Sequence, residues 1–267
     1  MLENPRSPRV RAVAKLAKRS ARHETGRFLL EGPQAVREAL RFAPGAVEEL
    51  YATPGAMEKH TDVRDGARAV GVDVRFATEA VIEAMADTVT PQGVIAVARQ
   101  LPVAVRDVFA ASPRLVAICE EVRDPGNLGT IIRAADAAGA DAVVLTGRTV
   151  DPYHPKVVRA TTGSIFHLPV SLGGDLEGVV ERARAAGMRV LAADIDGDDL
   201  LAARAEGLLA EPTAWLFGNE ARGLDEASVV LADRALRLPI FGRAESLNLA
   251  TAASVCLYES AFAQRAR

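Results

Sequence analysis

The stretch LVAICEEVRDPGNLGTIIRAADAAGADAVVLTG, residues 115–147, contains two apolar runs separated by a helical repeat. LVAICEEV predicts a strand, residues 128–138 predict a helix, and DAVVLTG predicts a second strand that begins at Asp141. Gly139 follows the last residue of the repeat, where a left-handed cap favours glycine. Two strands joined by a helix form a crossover connection, so this stretch indicates a parallel sheet with helices on its faces.

The alternation continues to residue 264. It predicts a helix near 155–161, a strand at IFHLPV, a helix over 175–186, strands at MRVLAAD and TAWLFG, a helix near 225–231, a strand at RALRLPI and a long helix over 247–264. We therefore expect an α/β domain over residues 114–267.

A second alternating series precedes this domain. It predicts a helix over 9–20, strands at FLLEG, VEELYAT, VDVRFAT and GVIAVAR, and helices at PQAVREALR, 55–70 and 78–86. The series predicts a smaller α/β domain over residues 23–100 with a mostly parallel sheet. Residues 101–113 contain two prolines and no clear period, and we expect a linker there.

The composition is that of an ordinary globular protein. Of 267 residues, 49% are hydrophobic and 25% are charged, which argues against a disordered or fibrous chain. No apolar run is long enough for a membrane span, and the basic N-terminus lacks the apolar core of a signal peptide, so we expect a cytoplasmic protein. Cys119 and Cys256 lie in apolar runs and are expected to be buried. The histidines lack ligand spacing, and we expect no metal site.

Positive charge is concentrated near the N-terminus. Residues 1–27 hold eight basic and two acidic side chains, a net +6 in a chain whose total is −3. Such an arm, which we assign to residues 1–22, suggests contact with a polyanion, most often a nucleic acid. A solvated and frayed terminus is the alternative reading of the same charges.

A polar stripe runs along the helix predicted after the Asp-Pro-Gly turn. Asn127 is placed as its N-cap, and Gly129, Arg133 and Asp136 follow on one face. Glycine costs up to about 1 kcal/mol in a helix, so a bare backbone beside an arginine suggests an anion that approaches closely. A surface ion pair between Arg133 and Asp136 is the alternative.

Two later loops contain polar residues at strand ends. In WLFGNEARGLDE (215–226), glycines bracket Asn219 and Glu220, and such turns expose backbone groups that can hold a heterocycle. In LPIFGRAESLNLATAASV (238–255), Ser246 is placed as the cap of the final helix and Asn248 in its first turn. The small residues that follow allow a tight helix contact, either across a dimer interface or within the core.

Three motifs occur in order: N-L-G-T-I-I-R (127–133), F-G-N-E-x-x-G (217–223) and L-P-I-x-G-x-x-x-S-L-N-x-x-x-A (238–252). Together they resemble the motifs of the SpoU branch of the SPOUT RNA methyltransferases, and the resemblance covers residues 114–267. The N-terminal series, with FLLEGPQAVREAL, resembles less sharply the small substrate-binding α/β domain of ribosomal-RNA members of this family.

The resemblance implies a fold, a donor and an assembly. It implies a parallel SPOUT sheet with a trefoil knot, S-adenosylmethionine as methyl donor, a ribose 2′-hydroxyl as acceptor and a homodimer formed through the C-terminal domain. The family pattern often has methionine at the position of Ile240, and alanine or serine at that of Asn219. By motif matching, the cofactor is expected against Thr146, Gly147, Phe217, Gly218, Asn219, Leu238, Ile240, Ser246, Leu247 and Asn248.

The resemblance also places Arg133 at the reacting centre. A guanidinium is a poor proton acceptor, so we expect Arg133 to grip the RNA phosphate and to stabilise charge on the 2′-oxygen. Asn127 is expected to orient its loop, and Glu220 to brace Asn127 or Arg133. Ser246 and Asn248 are expected to fix the cofactor loop. With an RNA substrate, the expected phosphate contacts are Arg9, Arg11, Lys15, Lys18, Arg19 and Arg22.

The accessory N-terminal domain favours large-subunit (23S-type) ribosomal RNA as substrate, with transfer RNA as the alternative. Two other readings remain open from the residues. The run Gly126-Asn127-Leu128-Gly129 matches a GxxG loop of a non-catalytic RNA-binding module, although a strand precedes it here. A dinucleotide-dependent oxidoreductase would suit the sheet, although the phosphate-binding fingerprint is missing.

Overall fold

In the computed structural model, residues 1–266 are described, and their contacts group the chain into two compact units. The N-terminal unit comprises residues 1–101 and 151–167, and the C-terminal unit comprises residues 102–150 and those from 168 onward. This grouping differs from the sequence prediction, which places residues 151–167 in the C-terminal domain. The reason lies in the packing of that segment, because the rings of Tyr153 and Phe166 pack against Phe28.

The N-terminal unit has a mixed four-stranded sheet, ordered β1-β4-β2-β3. Its strands are β1 (Arg27–Glu31), β2 (Val47–Ala52), β3 (Val74–Phe76) and β4 (Val94–Arg99). Strand β4 lies between β1 and β2 and runs antiparallel to both, and only β2 and β3 are parallel. The prediction of a mostly parallel sheet is therefore wrong for this unit. Apolar runs predict strands, but the direction of β4 depends on where the chain re-enters the sheet, beside the ends of β1 and β2.

Helices cover this sheet, and two predicted helices are broken. The predicted helix 9–20 divides around a 3-10 turn at Lys15–Ala17, and the predicted helix 55–70 divides at His60. The helices are α1 (Pro8–Ala14), α2 (Arg19–Thr25), α3 (Pro33–Phe42), α4 (Pro54–Lys59), α5 (Thr61–Ala69), α6 (Glu79–Met85) and, from the later segment, α9 (Pro155–Thr161).

The N-terminal arm is anchored to the core. Val10, Val13 and Leu16 are buried in the cluster that also contains Tyr51 and Ile82. The reading of this arm as a frayed terminus is therefore wrong, and its helices present their charges from a fixed surface.

Arg22 does not belong to the exposed charges of the arm. It is 1% exposed, its guanidinium forms an ion pair of 2.7 Å with Asp151, and its Nη1 donates to the carbonyl oxygens of Leu16 and Ala17. The expectation that Arg22 contacts RNA phosphate is corrected, because all of these bonds are internal to the unit. The other five predicted cations, Arg9, Arg11, Lys15, Lys18 and Arg19, are exposed.

The C-terminal unit has a six-stranded sheet that is parallel throughout, ordered β10-β8-β9-β5-β6-β7. The parallel sheet predicted for this domain is confirmed. The strands are β5 (Leu115–Glu120), β6 (Ala142–Thr146), β7 (Val170–Leu172), β8 (Arg189–Asp199), β9 (Thr213–Phe217) and β10 (Arg234–Arg237).

The helices of this unit begin with one that the sequence did not predict. The segment 101–113 contains a helix whose Val108 and Phe109 are buried in the core, so it is part of the unit and not a linker. IFHLPV is not a strand, because Gly163 turns the chain into a 3-10 turn at Ser164–Phe166. The helices are α7 (Val105–Ala110), α8 (Pro125–Ala138), α10 (Leu176–Ala185), α11 (Leu200–Ala205), α12 (Glu226–Val230) and α13 (Leu249–Arg265).

Among residues 1–266, no helix combines the length and the apolar character that crossing a bilayer requires. Within the same range, no group of three or more histidine, cysteine or acidic residues is arranged to hold a metal ion.

Candidate active site

Helix α8 begins three residues earlier than the sequence predicts. Asp124, and not Asn127, is the N-cap, and its Oδ1 accepts the backbone N–H of Asn127 at 2.8 Å. Pro125 occupies the first helical position, where its fixed φ and missing N–H carry no cost. The side chain of Asn127 therefore lies in the first turn, where it is available for a contact outside the helix.

Glu220 holds the loop that leads into α8. Its Oε1 accepts the backbone N–H of Asp124 at 2.8 Å, and both of its carboxylate oxygens accept the N–H of Arg123, at 3.2 and 3.1 Å. The expectation that Glu220 braces the side chains of Asn127 or Arg133 is corrected, since its carboxylate accepts these backbone N–H groups and, at 3.4 Å, the Nδ2 of the adjacent Asn219. Glu220 positions α8 through its first residues, and thereby the side chains that α8 carries.

Asn219 ties the same two loops together from the other side. Its Nδ2 donates to the carbonyl oxygen of Glu121 at 2.9 Å, and its Oδ1 accepts the N–H of Ala221 at 3.0 Å. Gly218 lies so close to Gly223 that a Cβ at Gly218 would meet the Gly223 carbonyl carbon at 2.4 Å. Only glycine fits there, so the tight turn that the sequence predicts is present.

Asn248 joins the third motif to the first. It is the N-cap of α13, where its Oδ1 accepts the N–H groups of Ala250 and Thr251 at 2.9 and 3.3 Å. Its Nδ2 donates to Asn127 Oδ1 at 3.0 Å. The prediction of Ser246 as the cap is wrong, because α13 begins three residues further on. Hydrogen bonds thus connect the third motif with the first, and the second motif with the loop that leads into the first.

Arg133 is exposed on α8 and forms no hydrogen bond or ion pair with any other residue in the described range 1–266. On the opposite side of the helix, Leu128, Ile131 and Ile132 are buried. The alternative of a surface ion pair with Asp136 is therefore not formed. A planar, charged guanidinium that is held on a helix and has no internal partner is suited to bind a phosphate or another anion.

The end of β6 provides a second turn beside this cluster. Thr149 Oγ1 donates to the carbonyl oxygens of Thr146 and Cys119, at 2.7 and 3.1 Å. Gly147 has a φ of +60°, and a Cβ there would lie 2.5 Å from Glu120 Oε1. The Thr146 side chain is buried, whereas Gly147 and Arg148 of the same turn are exposed.

Glu120, the last residue of β5, was not singled out from the sequence. Its Oε2 is buried and has no hydrogen-bond partner among residues 1–266. Burial raises the pKa of the Glu120 carboxyl, the Thr146 hydroxyl opposes this shift, and the negative charges of Glu121 and Asp225 add to it. An unsatisfied buried polar atom costs about 1–3 kcal/mol, so a partner is expected. The sequence signal that could have identified Glu120 is an acidic residue at the end of a buried strand.

The segment 238–248 lies between β10 and α13 and has neither helix nor strand. Ser246 and Asn248 are exposed, Ile240 and Leu247 are exposed by 38% and 40%, and Leu238 is half-buried. Phe217 is fully buried beside Trp215, so its ring belongs to the core, although the sequence places it against the cofactor. Backbone turns, apolar side chains and one carboxylate are groups that suit a nucleoside with hydrogen-bond donors.

Comparisons with known proteins agree with this geometry. The model of the SpoU rRNA Methylase family matches residues 114–258, and that of the MRM3-like substrate binding domain matches residues 7–96. The 23S rRNA (guanosine(2553)-2'-O)-methyltransferase RlmP of Bacillus subtilis (strain 168) is 35% identical over 257 residues, which are 96% of this chain and 97% of the relative.

Two crystal structures are similar over nearly the whole chain. An AdoMet-bound rRNA methyltransferase from Sinorhizobium meliloti is 33% identical, with a TM-score of 0.81 over 97% of this chain and 96% of that one. The SpoU methyltransferase AviRb from Streptomyces viridochromogenes, in complex with AdoMet, is 30% identical, with a TM-score of 0.81 over 96% and 97%. The SPOUT-type fold class is confirmed, and the chain belongs to the SpoU rRNA methylase family.

Proposed function

We propose that this protein transfers a methyl group from S-adenosylmethionine to a ribose 2′-hydroxyl of large-subunit (23S-type) ribosomal RNA. The observation that carries the proposal is the convergence of the three motifs, in which Asn127, Glu220 and Asn248 fix the helix that presents Arg133. Two of the three relatives named above are rRNA methyltransferases, and two of the three bind AdoMet.

The cofactor, when bound, supplies an electrophilic methyl group on a sulfonium. We assign its binding to the turns at Thr146, Gly147 and Gly218, to the adjacent Phe217 and Asn219, and to the segment 238–248. The glycines allow the tight packing of these turns, and Ile240 and Leu247 supply apolar surface. Ser246 is assigned to the same exposed segment, which Asn248 anchors at its end.

Arg133 acts on the RNA. Its guanidinium binds the phosphate beside the target ribose and stabilises negative charge that develops on the 2′-oxygen. It remains charged throughout the reaction and is not the group that removes the hydroxyl proton. Asn127 and Glu220 are positioning residues in this scheme, because both act through the placement of α8.

The five exposed cations of the N-terminal arm are assigned to RNA phosphate contacts. They are held on the anchored helices α1 and α2 and on the turn between them, so their positions are fixed before RNA binds. Since the relatives modify ribosomal RNA, we also propose that the protein acts in the cytoplasm.

We propose a homodimer formed through the C-terminal unit. On α13, Val255, Tyr258 and Phe262 are exposed by 39%, 37% and 54% and share one face, a stripe suited to a second copy of the chain. The small residues Ala250 and Ala253 do not belong to that stripe, because they are buried within the unit, where α13 packs against α8 and the sheet. The trefoil knot, with the last segment threaded through an earlier loop, is likewise part of the proposal.

The test is methyl transfer from S-adenosylmethionine to purified 23S ribosomal RNA and transfer RNA, followed by mapping of 2′-O-methyl positions. Methylation of 23S RNA alone is expected, and methylation of transfer RNA alone would assign the alternative substrate. Calorimetry with S-adenosylmethionine and NAD separates a methyltransferase from an oxidoreductase or a non-catalytic module. Mapping in a deletion strain identifies the nucleotide.

A further inference from the structure

Glu120 is a half-buried residue of the candidate site whose Oε2 is removed from solvent, and neither the motifs nor the proposed mechanism gives it a role. We propose that Glu120 Oε2 accepts a hydrogen bond from an N–H or O–H donor of the cofactor. The inference rests on the proposed function, because it concerns the same binding site.

The position of Glu120 follows from the sheet. Strand β5 lies between β9 and β6, and Glu120 ends it, in register with Thr146 at the end of β6. Strand β9 ends beside it at Phe217, just before the Gly218 turn. Glu120 therefore stands between the two turns to which the cofactor is assigned. In open parallel sheets, ligands bind beyond the carboxyl ends of the strands.

The close contact with Gly147 shows how its carboxylate is held. A Cβ at Gly147 would lie 2.5 Å from Glu120 Oε1, so the absence of a side chain lets the carboxylate rest against the backbone. One face of the carboxylate is thus occupied by the protein. The other oxygen, Oε2, is removed from solvent and is left without a partner.

Protonation of Glu120 does not satisfy this atom. A protonated Oε2 would need an acceptor, and no described residue forms a hydrogen bond with that atom, since the nearby Thr146 hydroxyl donates to the carbonyl oxygen of Cys119 instead. The negative charges of Glu121 and Asp225 act on Glu120 as well, and they favour a donor that is neutral or positive over an acceptor. The missing partner is therefore a donor from outside the chain.

S-adenosylmethionine carries both neutral and positively charged hydrogen-bond donors. Its methionine moiety has a charged ammonium, and its nucleoside moiety has ribose hydroxyls and an adenine amine. S-adenosylhomocysteine has all of these donors and lacks only the methyl group and its charge. 5′-Methylthioadenosine keeps the nucleoside donors and lacks the ammonium. The two ligands therefore distinguish which donor meets Glu120.

The experiment is calorimetric titration of Glu120→Met and Glu120→Gln with both ligands. Met removes the acceptors at similar size, and Gln keeps one neutral acceptor. Glu181→Gln, an exposed carboxylate on α10, is the matched control. We expect Glu120→Met to weaken S-adenosylhomocysteine about tenfold or more, Glu120→Gln to weaken it less, and the control to be unchanged. Unaltered 5′-methylthioadenosine affinity would assign the ammonium, and an equal loss would assign a nucleoside donor.

Thermal unfolding without ligand separates this role from a structural one. Because Oε2 has no internal partner, Glu120→Met is expected to leave the midpoint unchanged or higher. Wild-type affinity for both ligands in Glu120→Met would overturn the inference, and so would a lowered midpoint that accompanies the loss of affinity. Failure of the wild-type protein to bind S-adenosylhomocysteine or S-adenosylmethionine would instead reject the proposed function.

Discussion

Asn248 Nδ2 donates a hydrogen bond of 3.0 Å to Asn127 Oδ1, although 121 residues separate them in the chain. Asn248 also caps α13, and Asn127 lies in the first turn of α8, so one amide connects the starts of two helices. This bond links the segment assigned to the cofactor with the helix that carries Arg133.

The two tasks of Asn248 can be separated by substitution. Asn248→Ser keeps a cap oxygen but is too short to reach Asn127, so the free energy of unfolding should change by less than about 0.5 kcal/mol while methyl transfer falls. Asn248→Ala loses both contacts and should also destabilise the protein by about 1 kcal/mol. Denaturant unfolding and a methyl-transfer assay measure the two effects. Full activity of Asn248→Ser would show that the link to Asn127 is dispensable.

Removal of the Glu220 carboxylate should loosen the start of α8. Glu220→Ala leaves the N–H groups of Arg123 and Asp124 without their acceptors, so their amide hydrogens should exchange faster with solvent. Hydrogen exchange detected by NMR or mass spectrometry measures this effect. Glu226→Ala, which changes an exposed carboxylate on α12, is the control and should leave these amides protected. Unchanged protection in Glu220→Ala would reject the positioning role.

Of two arginines in the N-terminal arm, Arg22 should contribute to protein stability and Arg19 to RNA binding. Arg22→Ala removes a buried partner of Asp151 and should destabilise the protein by about 3 kcal/mol. Arg19→Ala should leave stability within about 0.5 kcal/mol but weaken RNA binding, with a shallower dependence on salt. Chemical denaturation and RNA titrations at several salt concentrations test the pair. A salt slope that Arg19, Lys15 and Lys18 substitutions leave unaltered would exclude the arm from the RNA interface.

The two cysteines should be unreactive in the folded protein. Both are free and buried, as the sequence predicts, and burial raises the pKa of the Cys119 thiol to about 12 and that of Cys256 as well. Because the thiolate is the reactive form, a thiol reagent at pH 8 should label neither residue until the protein unfolds. Counting labelled thiols by mass spectrometry, with and without denaturant, measures this. Rapid labelling of the native protein would contradict the burial.

The parallel sheet and most elements of the C-terminal unit could be predicted, because its strands are buried on both faces and read as unbroken apolar runs. The direction of β4 could not, since period and composition are the same for either direction. The predicted starts of two helices were also wrong. Helix α8 begins at Pro125, three residues before the predicted start, and α13 begins at Leu249, two residues after it. Several capping residues stand close together in both stretches, and the local pattern does not say which one ends the loop.

The candidate site could also be predicted only in part from the sequence. Motif matching brought together Asn127, Glu220 and Asn248, but their partners were wrong or unknown, because hydrogen bonds between distant loops depend on tertiary geometry. Arg22 was grouped with the exposed cations by charge alone, and its partner Asp151 lies 129 residues away. Glu120 was missed because a single carboxylate at a strand end carries no motif, and only its burial distinguishes it.

The most direct test of the account is methyl transfer by Arg133→Ala, measured together with its affinity for S-adenosylmethionine. The guanidinium is exposed and without an internal partner, so its loss should not disturb the fold or the cofactor site. We expect methylation to be abolished, cofactor affinity to stay within about twofold, and Arg133→Lys to restore nothing, because a point charge does not replace the planar fork. Near-normal turnover in Arg133→Ala would contradict the account.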